Sequence, residues 1–172
     1  MAKDIYARIS RPPRTSADRS VPVMIMTVVL LSIVPVSLFV FSIRYSLQYR
    51  DYMNSLTNSF TSSETASRFT GSVSVEGEPV QIDSTRASEL FFEINQAGMG
   101  RTCRKKTDES GIEILFIDGA ALQITDTVMK IENGETEEGV TVDYMYPDGR
   151  RYIYETVQLR YIALRKLLTG HW

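Results

Sequence analysis

The chain has 172 residues, 43% hydrophobic and 23% charged, with one Cys, one His and a net charge of −2. One Cys and one His exclude a structural zinc site and an intrachain disulfide. Residues 69–172 carry 11 basic and 17 acidic side chains, a net charge of −6, and so small a basic surface excludes a nucleic-acid binder that works by neutralising phosphates.

Residues 1–20 form a basic tail, with Lys3, Arg8, Arg11, Arg14 and Arg19 against Asp4 and Asp18. The tail lacks apolar periodicity, which makes it a flexible topogenic segment, or in a sharper reading one that docks on anionic lipid or on a cytoplasmic partner. Residues 21–43 follow, 23 residues without a charge, Asn, Gln or Gly. As a helix this stretch is about 34 Å long, enough to cross a hydrocarbon core of about 30 Å. Pro22 is expected in the first turn, where proline costs nothing, and Pro35 inside the helix, where it should kink it. No ionisable group lies within the span, so it is read as an anchor in the lipid bilayer and not as an ion path.

Five basic residues precede the span, and only Arg44 and Arg50 follow it within twenty residues. That asymmetry puts the tail in the cytoplasm and the C-terminal part outside. The apolar core is longer than that of a signal peptide and has no small-x-small site behind it, which argues for retention. The exported part has no Asn-x-Ser/Thr site, which suits a bacterial cell envelope.

Residues 44–68 are expected to be a stalk helix and a linker. Tyr49, Tyr52, Met53, Leu56 and Phe60 recur at steps of three and four, a helical stripe that reads either as a plain stalk or as a seam for pairing with a second copy or another membrane protein. Residues 57–72 contain nine Ser or Thr in sixteen positions, the composition of a linker.

Residues 69–172 read as an α+β domain with an antiparallel sheet and two helices, one after the first strands and one C-terminal. Short alternating segments at 72–76 and 80–83 flank Gly77 and Pro79 and predict a hairpin or edge strands. Asp83 or Ser84 caps a helix whose apolar face is Ala87, Leu90, Phe91, Ile94 and Ala97, and Gly98 stops it. Six strand-like runs follow, at 101–106, 112–117, 120–125, 128–132, 140–146 and 150–156. Asp118-Gly119 joins the second to the third, and Pro147-Asp148-Gly149 joins the fifth to the sixth, both tight-turn sequences. The two turn segments look alike, which reads as one turn chemistry used twice. A final helix spans 155–168 and ends at Gly170. The apolar positions of this domain are numerous enough that it is expected to fold without residues 1–68.

No arrangement of residues announces chemistry. The acidic run 132–139 lacks the spacing of a calcium loop and reads as a solvated turn. No phosphate loop or dinucleotide fingerprint occurs. Thr102-Cys103-Arg104 is faintly similar to the Thr-Cys motif of sortases, but the only His, His171, follows the Cys and lies beside the last residue, a poor place for a base. Signal peptidases pair a Ser beyond the anchor with a strand Lys; Ser55 or Ser59 with Lys105, Lys106 or Lys130 would be needed here, in charged runs that do not lower a Lys pKa. Tyr144, Tyr146, Tyr152 and Tyr154 fall on one face of their strands and read as core packing, or as a sugar- or peptide-binding surface.

The expectation is therefore a single-pass envelope protein whose external domain is a non-enzymatic binding or scaffolding module, with the bilayer and another envelope or membrane protein as partners and without cofactor, metal or nucleic acid. A sensor relaying an external contact to the tail is the alternative, and a membrane-anchored hydrolase or transpeptidase the third reading.

Overall fold

The computed structural model describes residues 16–65, 68–98, 100–103, 110–130 and 134–170, with side chains from residue 22 onward. It has a long N-terminal helix, then an antiparallel sheet with two further helices. The chain divides into two units, Met1–Ser46 and Leu47–Trp172.

Helix α1 (Ser16–Ser63) contributes to both units. In the first, every large apolar side chain from Val23 to Ile43 is exposed, Val23 at 65% and Phe41 at 68%, and the helix is long and apolar enough to cross a membrane. The helix starts at Ser16, so Pro22 lies inside it and not in its first turn. Thr27 and Ser32 donate their hydroxyls to the carbonyls of Val23 and Val28, at 2.9 and 2.8 Å, which satisfies them without a partner from outside the helix.

The second unit takes the remainder of α1. Next come a miniature hairpin, β1 (Glu64–Thr65) and β2 (Arg68–Phe69), then β3 (Ser72–Val75) and β4 (Glu78–Val80). After α2 (Ser84–Gln96) follow β5 (Arg101–Thr102), β6 (Ile112–Leu115), β7 (Ala121–Lys130), β8 (Thr136–Met145), β9 (Arg151–Thr156) and α3 (Tyr161–Thr169). Among the described residues the main sheet has the order β4-β3-β6-β7-β8-β9-β5, antiparallel throughout.

The registers place Val73, Ile114, Leu122, Tyr144 and Tyr152 in one row and Val75, Ile112, Ile124, Val142 and Tyr154 in the next, all on one face. That face is buried, because side chains alternate across a strand and the apolar set can point only one way at a time. Ala87, Leu90 and Ile94 of α2 and Tyr161, Leu164 and Leu168 of α3 are buried with it. Asp83 caps α2 by accepting the Arg86 amide at 2.8 Å, and Gly98 and Gly170 sit just past the helices at φ of +64° and +70°, where glycine carries no Cβ penalty.

Two expected boundaries shift. The runs 120–125 and 128–132 are one ten-residue strand, β7, because nothing between them breaks a strand; β7 pairs with β8 from Ala121↔Met145 to Lys130↔Thr136. The acidic residues Glu137 and Glu138 therefore belong to a ladder and not to a turn. Glu155 and Thr156 complete β9, where Glu155 pairs with Arg101 and Thr141, so the last helix begins at Tyr161. Residues 104–109, 131–133 and 171–172 lie outside the described residues, and with them the ends of the first and fourth expected runs, Lys105, Lys106 and His171.

The largest difference lies at residues 44–68. The folded unit begins at Leu47, not at residue 69. Tyr52 and Leu56 are 0% exposed and Phe60 5%, in the same core as the sheet residues. The Ser/Thr-rich stretch is helix up to Ser63, and Ser59 and Ser63 are also fully buried. Ser63 accepts the Ile117 amide on its hydroxyl at 3.1 Å, and its carbonyl takes the amide and hydroxyl of Thr70 at 2.8 and 2.7 Å. Beyond it Phe60 meets Phe69, Phe91 and Phe116 with ring centroids 6.1, 5.2 and 4.9 Å away.

Candidate functional site

The α1 stripe and the four tyrosines of β8 and β9 and the turn between them converge on one seam, where the second half of α1 lies on the sheet. Tyr52 stacks on Tyr152, centroids 4.8 Å apart and planes at 19°, and meets Tyr144 and Tyr154 edge-on at 5.4 and 5.5 Å. Such offset and edge-to-face contacts suit the ring quadrupole. Tyr49 and Met53 pack at the margin of this core, and Tyr49 lies 6.1 Å from Tyr52. The stripe Tyr49, Tyr52, Met53, Leu56 and Phe60 thus meets the sheet of its own chain. Tyr144, Tyr146, Tyr152 and Tyr154 are all under 10% exposed, so the structure gives them to packing and not to an open platform.

The seam is not purely apolar. The Tyr144 hydroxyl lies 2.9 Å from both Ser55 Oγ and Ser59 Oγ, and Ser59 Oγ donates to Asp118 Oδ2 at 2.6 Å. The Tyr52 and Tyr154 hydroxyls are 3.2 Å apart. Small hydroxylated residues on α1 serve two ends here: they let the helix approach the strands, and Ser55 and Ser59 satisfy the Tyr144 hydroxyl.

The two matching turns grip this helix at two points. In each, an aspartate side chain accepts an amide two residues on, Asp118 from Ala120 at 2.9 Å and Asp148 from Arg150 at 3.0 Å, and Gly119 and Gly149 take φ of +86° and +84°. Backbone bonds repeat as well, Phe116 to Ala120 and Tyr146 to Arg150. Because β6-β7 and β8-β9 are alternate hairpins of an antiparallel sheet, both turns lie at the same end, about 10 Å or two strand spacings apart. Asp118 holds Ser59, and Arg150 reaches Asp51 at 3.3 Å. Asp51 and Ser59 are eight residues apart on α1, about 12 Å along a helix axis. One turn chemistry used twice is thus matched to one helix.

At the Asp51 end the seam opens into a recess of about 320 Å³ lined by Asp51, Asn54, Ser55, Asn58, Tyr146, Pro147, Asp148 and Arg150. Arg150 donates to Asp148 at 2.7 Å and covers the Tyr146 ring at 4.7 Å. The bond from Arg150 holds Asp148 below the usual carboxylate range and raises Arg150 in turn. Burial, with the Asp51 charge second, pushes the Tyr146 phenol up to about 12. Burial also raises Tyr52 and Tyr144, in the latter against the hydrogen bonds from Ser55 and Ser59. All these phenols stay protonated at neutral pH, and in the seam they pack against the second half of α1.

Among the described residues, those weighed for catalysis are not brought together into one site. Cys103 is half-buried and its amide donates to the Ile153 carbonyl at 3.0 Å in the β5-β9 edge. Ser59 is hydrogen-bonded to Asp118 and Tyr144, and Ser55 to Tyr144. Among the described residues no group of three His, Cys, Asp or Glu is placed to hold a metal ion. Sequence reasoning passed over two features: Asp118 as the partner of Ser59, and Phe92, which is 55% exposed on the outer face of α2. The step of one from Phe91 signals the second, since adjacent helical residues diverge by about 100°. Compared with known proteins, the chain matches no family model, no curated protein and no solved structure.

Proposed function

We propose that the chain is a single-pass membrane protein of a bacterial cell envelope, anchored by residues 21–43 with its basic tail in the cytoplasm, and that its external α+β domain is a non-enzymatic binding or scaffolding module. The observation that carries this reading is the uncharged, fully exposed apolar length of α1, a surface that lipid covers and water does not. The five-to-two asymmetry of basic residues around it supports the orientation. The reading of the domain as a binder rests on its own core being complete, with the tyrosines absorbed into packing and the acidic outer surface left for partners. A relay from outside to the tail is the second reading, favoured by one fact: α1 carries both the apolar segment and the core residues Tyr52, Leu56 and Phe60. A scaffold tolerates any basic tail of similar length, whereas a relay requires this one. A reporter fused after Trp172 that is active only outside the cytoplasm is the expected result, and activity from the cytoplasm would overturn the orientation and the envelope location.

A further inference from the structure

The outer face of α2 carries a groove of about 520 Å³ whose lining combines Phe92 and Leu167 with Glu64, Ser88, Glu89 and Glu93. Phe92 is 55% exposed and takes no part in the core, which its neighbour Phe91 joins through Phe60 at 5.2 Å. Glu89 and Glu93 are one turn apart, a like-charge spacing that weakens a helix on its own. Among the described residues neither has an ion-pair partner, and Glu64 accepts only the Ser88 hydroxyl at 3.1 Å. The one basic residue of α2, Arg86, donates to the Leu168 carbonyl of α3 at 3.1 Å and leaves these carboxylates uncompensated.

We propose that this groove docks a cationic segment of a partner protein, with a large apolar side chain laid against Phe92 and Leu167 and Lys or Arg side chains reaching Glu64, Glu89 and Glu93. Charge selects this occupant from the others. Residues 69–172 carry a net −6, so a second copy of the domain and an anionic lipid surface both meet repulsion there, while a basic segment relieves it. A lining that joins apolar side chains to carboxylates also lets an apolar anchor supply affinity and charges supply register. The proposal rests on the binding-module reading and names the partner's chemistry.

The test uses the full chain in nanodiscs of zwitterionic phosphatidylcholine and a fluorescein-labelled hexapeptide of alternating Lys and Trp, followed by anisotropy. Saturable binding that weakens as salt rises is expected. Phe92→Ser should weaken it about tenfold or more at unchanged charge and unchanged melting temperature. Glu89→Gln with Glu93→Gln should weaken it about tenfold and flatten the salt dependence. Thr85→Lys, which places a cation in the groove's lining, should abolish it. Absence of saturable binding, or an affinity equal to the parent's in Phe92→Ser or in the double Gln variant, would overturn the proposal. Self-association of the parent that Phe92→Ser removes would also overturn it, by giving the groove to a second copy. The reporter fusion reads location separately: an external reporter without peptide binding removes only the groove, and a cytoplasmic reporter with binding intact removes only the location.

Discussion

Replacing Tyr52 decides whether the second half of α1 is a stalk or a part of the fold. The ring is fully buried, stacked on Tyr152 and edge-on to Tyr144 and Tyr154. Truncating a buried aromatic to Ala costs about 3–5 kcal/mol through lost transfer energy and the cavity left behind. Tyr52→Phe keeps the ring and loses only the contact with the Tyr154 hydroxyl, for about 1 kcal/mol. On a solvated stalk the same changes would stay within about 0.5 kcal/mol. Set against the 5–15 kcal/mol that typically holds a domain together, roughly 4 kcal/mol is a large loss. The assay is urea unfolding of residues 47–172, read by near-UV circular dichroism, with a thermal melt beside it. For a unit of this size each kcal/mol moves the midpoint by about 3–6 °C, so Tyr52→Ala should melt on the order of 10–20 °C lower. A Tyr52→Ala variant that unfolds with its parent would refute the placement of α1. Starting the fragment at residue 69 removes Tyr52, Leu56 and Phe60 together, roughly 5–9 kcal/mol of apolar burial, and should leave it without cooperative unfolding.

Three further outcomes follow from particular contacts. Tyr146 ionises at about 12 in the native chain against 10.0 for an ordinary tyrosine, and burial moves Tyr52 and Tyr144 in the same direction. A raised phenol pKa means that the unfolded chain releases its protons first, so stability is full below about pH 10 and falls from about pH 10 to 12, which urea midpoints paired with absorbance at 295 nm would show or deny. The turn Glu76-Gly77, at φ of +54° and +85°, is a two-residue hairpin in which Val75 and Glu78 exchange hydrogen bonds; Pro79 then faces away from β3 on the edge of the sheet. Pro79→Thr restores an edge donor and should raise self-association in sedimentation velocity, and an unchanged profile would mean that the proline does not guard the edge. Cys103→Ala should keep the fold and cost no more than about 1 kcal/mol; a larger shift of the urea midpoint would show that the thiol matters to this edge.

Much of the architecture is legible in the residues because it follows from local rules. Asp83 and Gly98 bound α2, the two Asp-Gly turns mark their hairpins, and alternation in 112–117 and 140–146 gives the buried face. What misleads is composition used as a proxy for solvation. Nine Ser or Thr in residues 57–72 look like a linker, yet Ser59 and Ser63 are buried because Tyr144, Asp118 and the amide of Ile117 need hydroxyl partners there. Those partners lie more than fifty residues away in sequence, and no local window contains them. The stripe from Tyr49 to Phe60 is equally plain, but periodicity shows that a helix has an apolar face and not what covers it. The tyrosines of β8 and β9 carry the same ambiguity from the other side, and each set is the answer to the other. Phe92 escapes notice because a lone exposed aromatic has no pattern; the carboxylates that line its groove become visible only once Glu64 is folded beside Ser88.

The location of the two ends of the chain is tested most directly by labelling single cysteines in intact cells. In a Cys103→Ala background, Asn95→Cys on the exposed surface of α2 should react with a membrane-impermeant maleimide from outside, and Ser10→Cys in the basic tail should react only after the cells are permeabilised. Labelling of Ser10→Cys in intact cells with Asn95→Cys protected, or protection of both positions, would contradict the anchored, outward-facing domain.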